Sequence, residues 1–551
     1  MKRIKKVRTV ALVPRIIVAT IALAWGTGAN ALELETGNPD LKMRWDNTVR
    51  YNLGVRTEGQ DPRLLASASF DEGDSKFGKH DVVTDRLDLL SEFELNYMNQ
   101  VGVRASGSAW YDAAYNNHTV RSTSGVATSY FNNTYNNTVK RYMNGPSGEL
   151  LDAFAWTNFK LFDAPVNVKF GRHALVWGEG VLIGGHAISY SQAPVDGVKA
   201  VSSPGIETKE LFLPLNQLSF KAQVTDNVSV FGQYFLEWKP TRVPMGGTFL
   251  MGADTSTTVD RLGTSATGGF NNVGGGLPKN SGNWGVGTRI DVEAIDTKVG
   301  FYYRKFNDYN PETGIQLTPA AGIFRFVFAQ DVELYGVSLA KQIGPVIYGA
   351  DLSLRKNGHL NSAASMSGDD GARGNTTHVV VNGTYGLPKT ALWDTGVFIA
   401  EFAANHLDSI TKNASLYRGE GYVACTETTA NPILTPNACS TRNFYQAAFN
   451  FAPSYFAVFP GWDFGVPMSL NWGLKGKAAS GGGGFQDIKS ASIGLTATYQ
   501  SKYEFGLRYA DSWVPTRYNA AGTSATGGGA LSSAIGATDR GWLVFTFKTA
   551  L

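Results

Sequence analysis

Long apolar runs, cysteines and an excess of one charge are all scarce in this sequence. After residue 31 no stretch of about 18 uninterrupted apolar residues occurs, which argues against transmembrane helices in that part of the chain. The formal net charge is only +3, so the chain offers no basic face for nucleic acid. Charged residues make up 17% of the chain, a low share for a soluble enzyme.

The chain has two cysteines, Cys425 and Cys439, in a stretch rich in Thr, Asn and Pro. In an exported protein, a close pair of this kind predicts a disulfide within a loop. A zinc site is the alternative, but no histidine lies nearby to complete the ligand set.

The first 31 residues have the composition of an export signal. Basic residues precede an apolar run at 16–25, and Ala29-Asn30-Ala31 supplies a small-x-small cleavage pattern. We therefore predict a signal peptide at residues 1–31 and a mature chain at residues 32–551. A retained anchor helix is the alternative.

The most prominent positive feature is a strict alternation of apolar and polar residues. In "LKMRWDNTVRYNLGVRT", residues 41–57, nearly every second side chain is apolar and those between are charged or polar. A period of two indicates a β-strand with different surroundings on its two faces. Comparable half-apolar stretches recur at 86–98, 166–171, 215–224, 296–305, 346–354 and 503–510.

The connections between these stretches alternate between tight turns and long segments rich in Gly, Ser, Thr and Asn. Short turns on one rim and long loops on the other are typical of a transmembrane barrel. We predict an all-β fold, a transmembrane antiparallel β-barrel of about 18 strands, with 16 as the alternative. A soluble sandwich or propeller would show repeats of fixed period, and none is found. The long segments are 58–84, 114–149, 172–214, 239–282, 307–330, 356–375, 407–442 and 513–539.

Segment 172–214 differs from the other long connections because it is rich in apolar residues. Apolar residues at this density would be costly in water, so we expect the segment to fold inward as a plug or constriction. Its ionisable groups must then be paired in the lumen, either as a gate or ligand contact or as a salt-bridge network with strand residues. The candidate site residues are Arg172, His173, Trp177, Glu179, Lys209, Glu210, Arg44 and Arg50.

Catalytic and metal-binding patterns are weak. No Gly-x-Ser-x-Gly motif occurs, and only His173 or His186 beside Ser189 suggests a dyad, which sequence proximity cannot establish. The loop "FDEGDSKFGKHD", residues 70–81, could hold calcium through its carboxylates, but its spacing fits no defined calcium loop and favours a solvated acidic loop. We predict no enzyme activity, no metal and no cofactor.

Three blocks of sequence carry a resemblance to a known family. Residues 71–116 begin "DEGDSKFGKHDVVTDRLDLLSEF", residues 171–220 begin "GRHALVWGEGVLIGGHAISYSQAP", and residues 237–244 read "EWKPTRVP". Over roughly the first half of the mature chain they resemble the Gram-negative outer-membrane proteins of domain of unknown function 1302. The resemblance implies an outer-membrane β-barrel, often encoded beside a lipoprotein-like protein and exporters of hydrophobic molecules. It implies no catalytic residues.

Pattern and resemblance together predict a channel or carrier in the Gram-negative outer membrane. Its cargo would be small hydrophobic or lipid-like molecules, and its lumen would be closed by segment 172–214. The alternatives are a general or substrate-selective porin for polar or aromatic solutes, and a structural or adhesion barrel acting through its external loops. The expected partners are the lipid bilayer, a small-molecule cargo and a periplasmic or outer-membrane-associated lipoprotein-like protein.

Overall fold

The computed structural model describes residues 32–34, 36–263, 269–419, 422, 425, 439–528 and 532–551. The predicted signal peptide, residues 1–31, lies outside the described residues. Within the described part of the chain, no helix is both long enough and apolar enough to cross a membrane.

Eighteen strands form one antiparallel sheet that closes on itself. Each strand pairs with its neighbours in sequence, and the last strand pairs with the first. The predicted fold and strand number are therefore confirmed. The short strand Leu32–Leu34 adds to the edge of the first strand. The barrel strands are β1 (Leu41–Arg56), β2 (Val82–Tyr97), β3 (Val101–Asp112), β4 (Ser147–Leu161), β5 (Ala164–His173), β6 (Leu215–Thr225), β7 (Val228–Phe235), β8 (Trp284–Val292), β9 (Thr297–Phe306), β10 (Val332–Ile343), β11 (Val346–His359), β12 (Arg373–Gly386), β13 (Thr395–Lys412), β14 (Asn443–Phe459), β15 (Trp462–Gly465 and Met468–Gly476), β16 (Lys489–Tyr499), β17 (Tyr503–Trp513) and β18 (Trp542–Ala550).

The two faces of the strands differ as the alternation predicts. On β1, Arg50, Asn52 and Arg56 are buried inside the barrel, while Trp45 is 45% exposed on the outside. Residues directly opposite each other on paired strands share a face, so this assignment extends around the barrel. Exposed apolar residues on the outer face include Leu89, Val103, Phe170, Phe220, Phe301, Leu339, Leu352, Val381, Phe402, Ile493, Leu507 and Phe545.

The two rims of the barrel carry connections of different length. Eight short turns, none longer than 387–394, lie on one rim, here called the turn rim. Nine longer connections lie on the other, the loop rim, one more than the sequence predicted because the glycine-rich connection 477–488 was missed. The nine are 57–81, 113–146, 174–214, 236–283, 307–331, 360–372, 413–442, 477–488 and 514–541.

Loops of the loop rim pack against one another around an apolar core. Tyr115, Tyr130, Tyr135 and Phe249 are buried together there. The Tyr130 hydroxyl donates to the Gly246 carbonyl at 2.6 Å, which joins two loops that are distant in sequence. We call the packed loops 57–81, 113–146 and 236–263 the cap.

Candidate functional site

The connection 174–214 joins β5 to β6 and is here called the inward segment. Two lumen-facing carboxylates bind its backbone, Asp351 on β11 and Glu401 on β13. Asp351 accepts N–H bonds from Glu179 at 2.8 Å, Gly180 at 3.3 Å and Ile188 at 3.1 Å. Glu401 accepts them from Val181 at 2.6 Å, Leu182 at 2.9 Å and Ile183. Two carboxylates therefore satisfy six backbone donors.

Two buried arginines bind the carbonyl groups of the same stretch. Arg304 on β9 donates to the carbonyls of Ile188 at 2.9 Å, Tyr190 at 2.8 Å and Ser191 at 2.6 Å. Arg355 on β11 donates to those of Gly185 at 3.0 Å and Ala187 at 3.2 Å. Donors and acceptors of an irregular backbone are thus matched by side chains of the barrel wall, as buried polar groups require.

The second half of the inward segment is held by ion pairs to the first strands. Arg50 on β1 pairs with Glu210 at 3.0 Å, and both side chains are almost completely buried. Ser203 donates to Asp88 on β2 at 2.8 Å and accepts a bond from Arg50. Lys199 donates to Glu149 on β4 at 2.8 Å.

Trp177 and Glu179 lie where the inward segment meets β7, β8 and β9. The Trp177 ring packs against Phe231, with ring centroids 5.0 Å apart, and against Tyr302 at 6.1 Å. The Glu179 carboxylate pairs with Arg289 at 3.0 Å, and both side chains remain partly exposed. These contacts place an aromatic cluster and an accessible ion pair in the lumen.

The other predicted site residues are dispersed. Arg172 lies opposite Asn216, two residues after the outward-facing Phe170 on the same strand, and therefore faces outward. The expectation that Arg172 faces the lumen was wrong. Its Nε donates to the Pro214 carbonyl at 3.1 Å. Arg44 pairs with Asp46 on its own strand at 2.6 Å and is 60% exposed, away from the inward segment. Lys209 pairs with Glu92 and Glu207.

The histidines are paired differently from the suggested dyad with Ser189. His173 contacts Ser219 Oγ through Nε2 at 2.7 Å. His186 contacts His378 on β12, with the two Nδ1 atoms 3.0 Å apart, and reaches the Gly483 carbonyl at 3.1 Å. Burial lowers the pKa of His186 to about 3, so this imidazole is neutral at physiological pH.

The inward segment makes hydrogen bonds and ion pairs to most of the barrel wall but not to one sector of it. Among the described residues, its hydrogen bonds and ion pairs to the wall reach strands from β1 to β13 and β18, but none of β14 to β17. A cavity of about 500 Å³, the wall cavity, lies on that side. It is lined by small polar residues of the wall, including Asn450, Asn471, Ser490 and Ser492.

A larger cavity of about 1130 Å³, the vestibule, lies between the inward segment and the loops of the loop rim. Its lining mixes apolar side chains with serines, glycines and a few charged groups, and Leu182 lines both cavities. The vestibule therefore adjoins the wall cavity at this residue. Apolar lining residues include Val181, Val195, Leu211, Phe212, Ile315, Phe326 and Phe485.

The acidic loop at 70–81 is not the solvated loop that the sequence favours. Asp71, Glu72 and Asp74 are buried. Asp71 and Glu72 accept bonds from the neighbouring loop 113–146, and Asp74 accepts one from Arg56 at the end of β1. Asp254 accepts from the backbone N–H groups of Glu72 at 3.1 Å and Gly73 at 3.0 Å. These carboxylates join loops of the cap.

We expect the cap to loosen as the pH rises from 5 to 8. Burial, followed by repulsion from Asp71, raises the pKa of Asp254 to about 7 from its ordinary value of 3.8. The protonated carboxyl is favoured in the fold, so its contribution is complete below the ordinary value and is lost as the pH rises through about 7. Hydrogen exchange, corrected for intrinsic rates, should show weaker protection of the Glu72 and Gly73 amides at pH 8 than at pH 5. In Asp254→Asn this difference should shrink; an undiminished difference would contradict the assignment to Asp254.

Cys425 and Cys439 form a disulfide in the connection 413–442. Residues 426–438 between them lie outside the described part of the chain. Within the described residues, no group of three or more His, Cys, Asp or Glu side chains is arranged to hold a metal ion.

The sequence does not single out the strand residues that bind the inward segment most extensively, Asp351, Glu401, Arg304 and Arg355. Alternation places each of them on a lumen face, but their partners lie 113 to 220 residues away. The available signal was the clustering of charged residues at lumen positions of β9, β11 and β13. That signal does not say which segment they bind.

Comparisons with known proteins give one family and several structures. A family model described as "Protein of unknown function (DUF1302)" matches residues 12–551. No curated protein matches the chain by sequence.

Several solved structures are similar to this chain over most of its length. The outer membrane channel DcaP of Acinetobacter baumannii is 11% identical, with a TM-score of 0.38, over 95% of this chain and 99% of that one. OccAB2 of Acinetobacter baumannii is 9% identical, with a TM-score of 0.42, over 92% and 98%. Pseudomonas aeruginosa OpdK, solved with vanillate, is 10% identical, with a TM-score of 0.40, over 92% and 98%.

Proposed function

We propose, from the premise that this chain belongs to the DUF1302 family, that it is an outer-membrane channel narrowed by the inward segment and open to small, largely hydrophobic molecules. The membership confirms the family that the sequence resembles. The family description names no activity, so the function is argued from the barrel itself.

The closed sheet and its apolar outer face support a position in a lipid bilayer. In hydrocarbon every backbone N–H and C=O must be paired within the protein, and a barrel without edges meets this requirement. β18 pairs with β1 over nine residues, Thr48–Arg56, and so closes the sheet into a barrel. The length of the strands and the contrast between the two rims fit the architecture of outer-membrane barrels.

The six N–H bonds to Asp351 and Glu401 are the observation that carries the proposed narrowing. Wide barrels of this strand number otherwise leave an open aqueous channel. A segment held in the lumen by buried charges on opposite parts of the wall reduces that channel to the space beside it. The wall cavity, of about 500 Å³, is such a space: it lies between the inward segment and β14–β17.

The lining of the vestibule supports the proposed cargo class. Apolar side chains such as Leu211, Phe212 and Phe326 lie around a cavity of about 1130 Å³, large enough for a molecule of drug size. Transfer of an apolar molecule from water into such a site is favourable by about 25 cal/mol per Å² of buried apolar surface. The vestibule would therefore concentrate hydrophobic molecules before they pass Leu182.

Planar-bilayer recording of the purified full-length protein tests this function. We expect small current steps, well below those of an open barrel with the same number of strands, because the inward segment occupies much of the lumen. Current steps as large as those of an open barrel would overturn the narrowing and favour the general porin.

Deletion within the connection 113–146 separates the channel from the adhesion alternative. A channel should keep its small conductance and its solute preference after the deletion, provided that the protein still migrates as a folded barrel on unheated gels. Loss of cell adhesion with intact conductance would favour a barrel acting through its external loops. The lipoprotein-like partner that the resemblance implies stays a prediction.

A further inference from the structure

Arg508 on β17 is a charged residue in the wall cavity without a partner. Its position opposite Gly494 and Val544 places it on the lumen face, and its side chain is exposed within the lumen. Among the described residues it makes no hydrogen bond or ion pair, unlike the lumenal arginines Arg50, Arg289 and Arg304.

The other charged residues that line the wall cavity are already engaged. Arg540 donates to the carbonyls of Thr248, Phe249 and Met251 within 3.1 Å. Asp511 accepts from the Tyr509 hydroxyl at 3.1 Å and from the Ser512 N–H at 2.7 Å. Glu504, the next carboxylate on the lumen face of β17, is about 13 Å from Arg508 along an extended strand. The guanidinium is therefore the free charge of this cavity.

The lining opposite Arg508 is apolar. The inward segment contributes Leu182 and Val201, and the cap contributes Phe249 and Leu250. The wall around Arg508 carries neutral polar side chains such as Ser490 and Ser492. A molecule with an apolar body and one anionic group matches both sides of this space, since it can bury the body and pair the charge.

We infer that Arg508 is a specificity-determining residue that selects small organic anions with an apolar body as the molecules passing the wall cavity. This inference rests on the proposed channel function and narrows its cargo. A single fixed positive charge in a confined space of reduced dielectric constant attracts anions and opposes cations. The planar fork of the guanidinium also suits carboxylate and sulfonate oxygens.

Reversal potentials in planar bilayers test the inference, with benzenesulfonate and benzyltrimethylammonium as probes of similar size and opposite charge. We expect the wild-type channel to favour benzenesulfonate. In Arg508→Gln the permeability ratio should fall about tenfold, which corresponds to roughly 1.4 kcal/mol. Arg508→Glu should favour the cation, and Arg508→Lys should keep most of the anion preference.

Control variants separate the possible failures. Arg121→Gln removes the same charge from an exposed loop and should leave the ratio unchanged. An unchanged ratio in Arg508→Gln, with normal current, overturns the role of Arg508 and leaves the channel function standing. Absence of any current from the folded wild-type protein overturns the channel function and the inference with it. If Arg508→Glu fails to fold, the permeability ratios of Arg508→Gln and Arg508→Lys still test whether the positive charge sets the anion preference.

Discussion

Replacement of both Asp351 and Glu401 by alanine is expected to raise the single-channel conductance several-fold. The double variant removes the acceptors of six backbone N–H groups between Glu179 and Ile188. A hydrogen bond to a charged group contributes about 1.5–3 kcal/mol, and donors left buried without a partner add their desolvation cost. The stretch should then leave β11–β13 and open the lumen on that side, which bilayer recording would detect.

Two further variants make this expectation specific. Asp351→Asn with Glu401→Gln keeps one acceptor oxygen in each side chain, so its conductance should lie between wild type and the alanine variant. Asp408→Asn changes a carboxylate on the same strand as Glu401 whose one hydrogen-bond partner among the described residues is Thr377, and it should conduct like wild type. A folded alanine variant with wild-type conductance would show that these carboxylates do not hold the constriction in place.

Replacement of Arg50 by alanine is expected to destabilise the protein by about 3–5 kcal/mol, the usual cost of leaving one partner of a buried ion pair unpaired. Arg50 and Glu210 are 2% and 1% exposed, so the charge of Glu210 would be compensated neither by water nor by a cation. Asp88, whose carboxylate lies 3.9 Å from Arg50, would lose part of its compensation as well. Urea unfolding of the refolded protein in lipid vesicles, followed by tryptophan fluorescence, measures this change.

The double variant Arg50→Met with Glu210→Leu distinguishes a lost charge balance from lost packing. Apolar side chains of similar volume often replace a buried ion pair at little cost, so this variant should recover most of the stability. Arg63→Ala, which breaks an exposed pair with Asp61, should leave unfolding unchanged. An Arg50→Ala protein as stable as wild type would contradict the buried-pair argument.

The barrel could be predicted from sequence because two different surroundings impose one repeated pattern. In β1 apolar and polar residues alternate from Leu41 to Val55 with one interruption at Asn47, and the register with β2 and β18 follows that division. Turn chemistry then indicated where strands reverse. The glycine-rich connection 477–488 was missed because glycine also occurs within the strands, as at Gly473 and Gly494.

The site was only partly predictable. The apolar content of 172–214 indicated an inward segment, and its pairing with Arg50 follows from the need to compensate buried charge. The side on which Arg172 lies could not be settled, because a shift of one residue in a strand end moves a side chain to the opposite face. Arg508 attracted no notice in the sequence, since its importance depends on what is missing around it in three dimensions.

The inward segment begins and ends on adjacent paired strands, where His173 lies opposite Leu215. It is therefore a loop attached to the barrel wall at both ends, and it has no free end on which a partner protein could act. Because both ends of the segment are fixed to paired strands, it cannot be pulled out of the barrel by one end. Under the proposed function, the passage would widen by rearrangement of this segment where it stands.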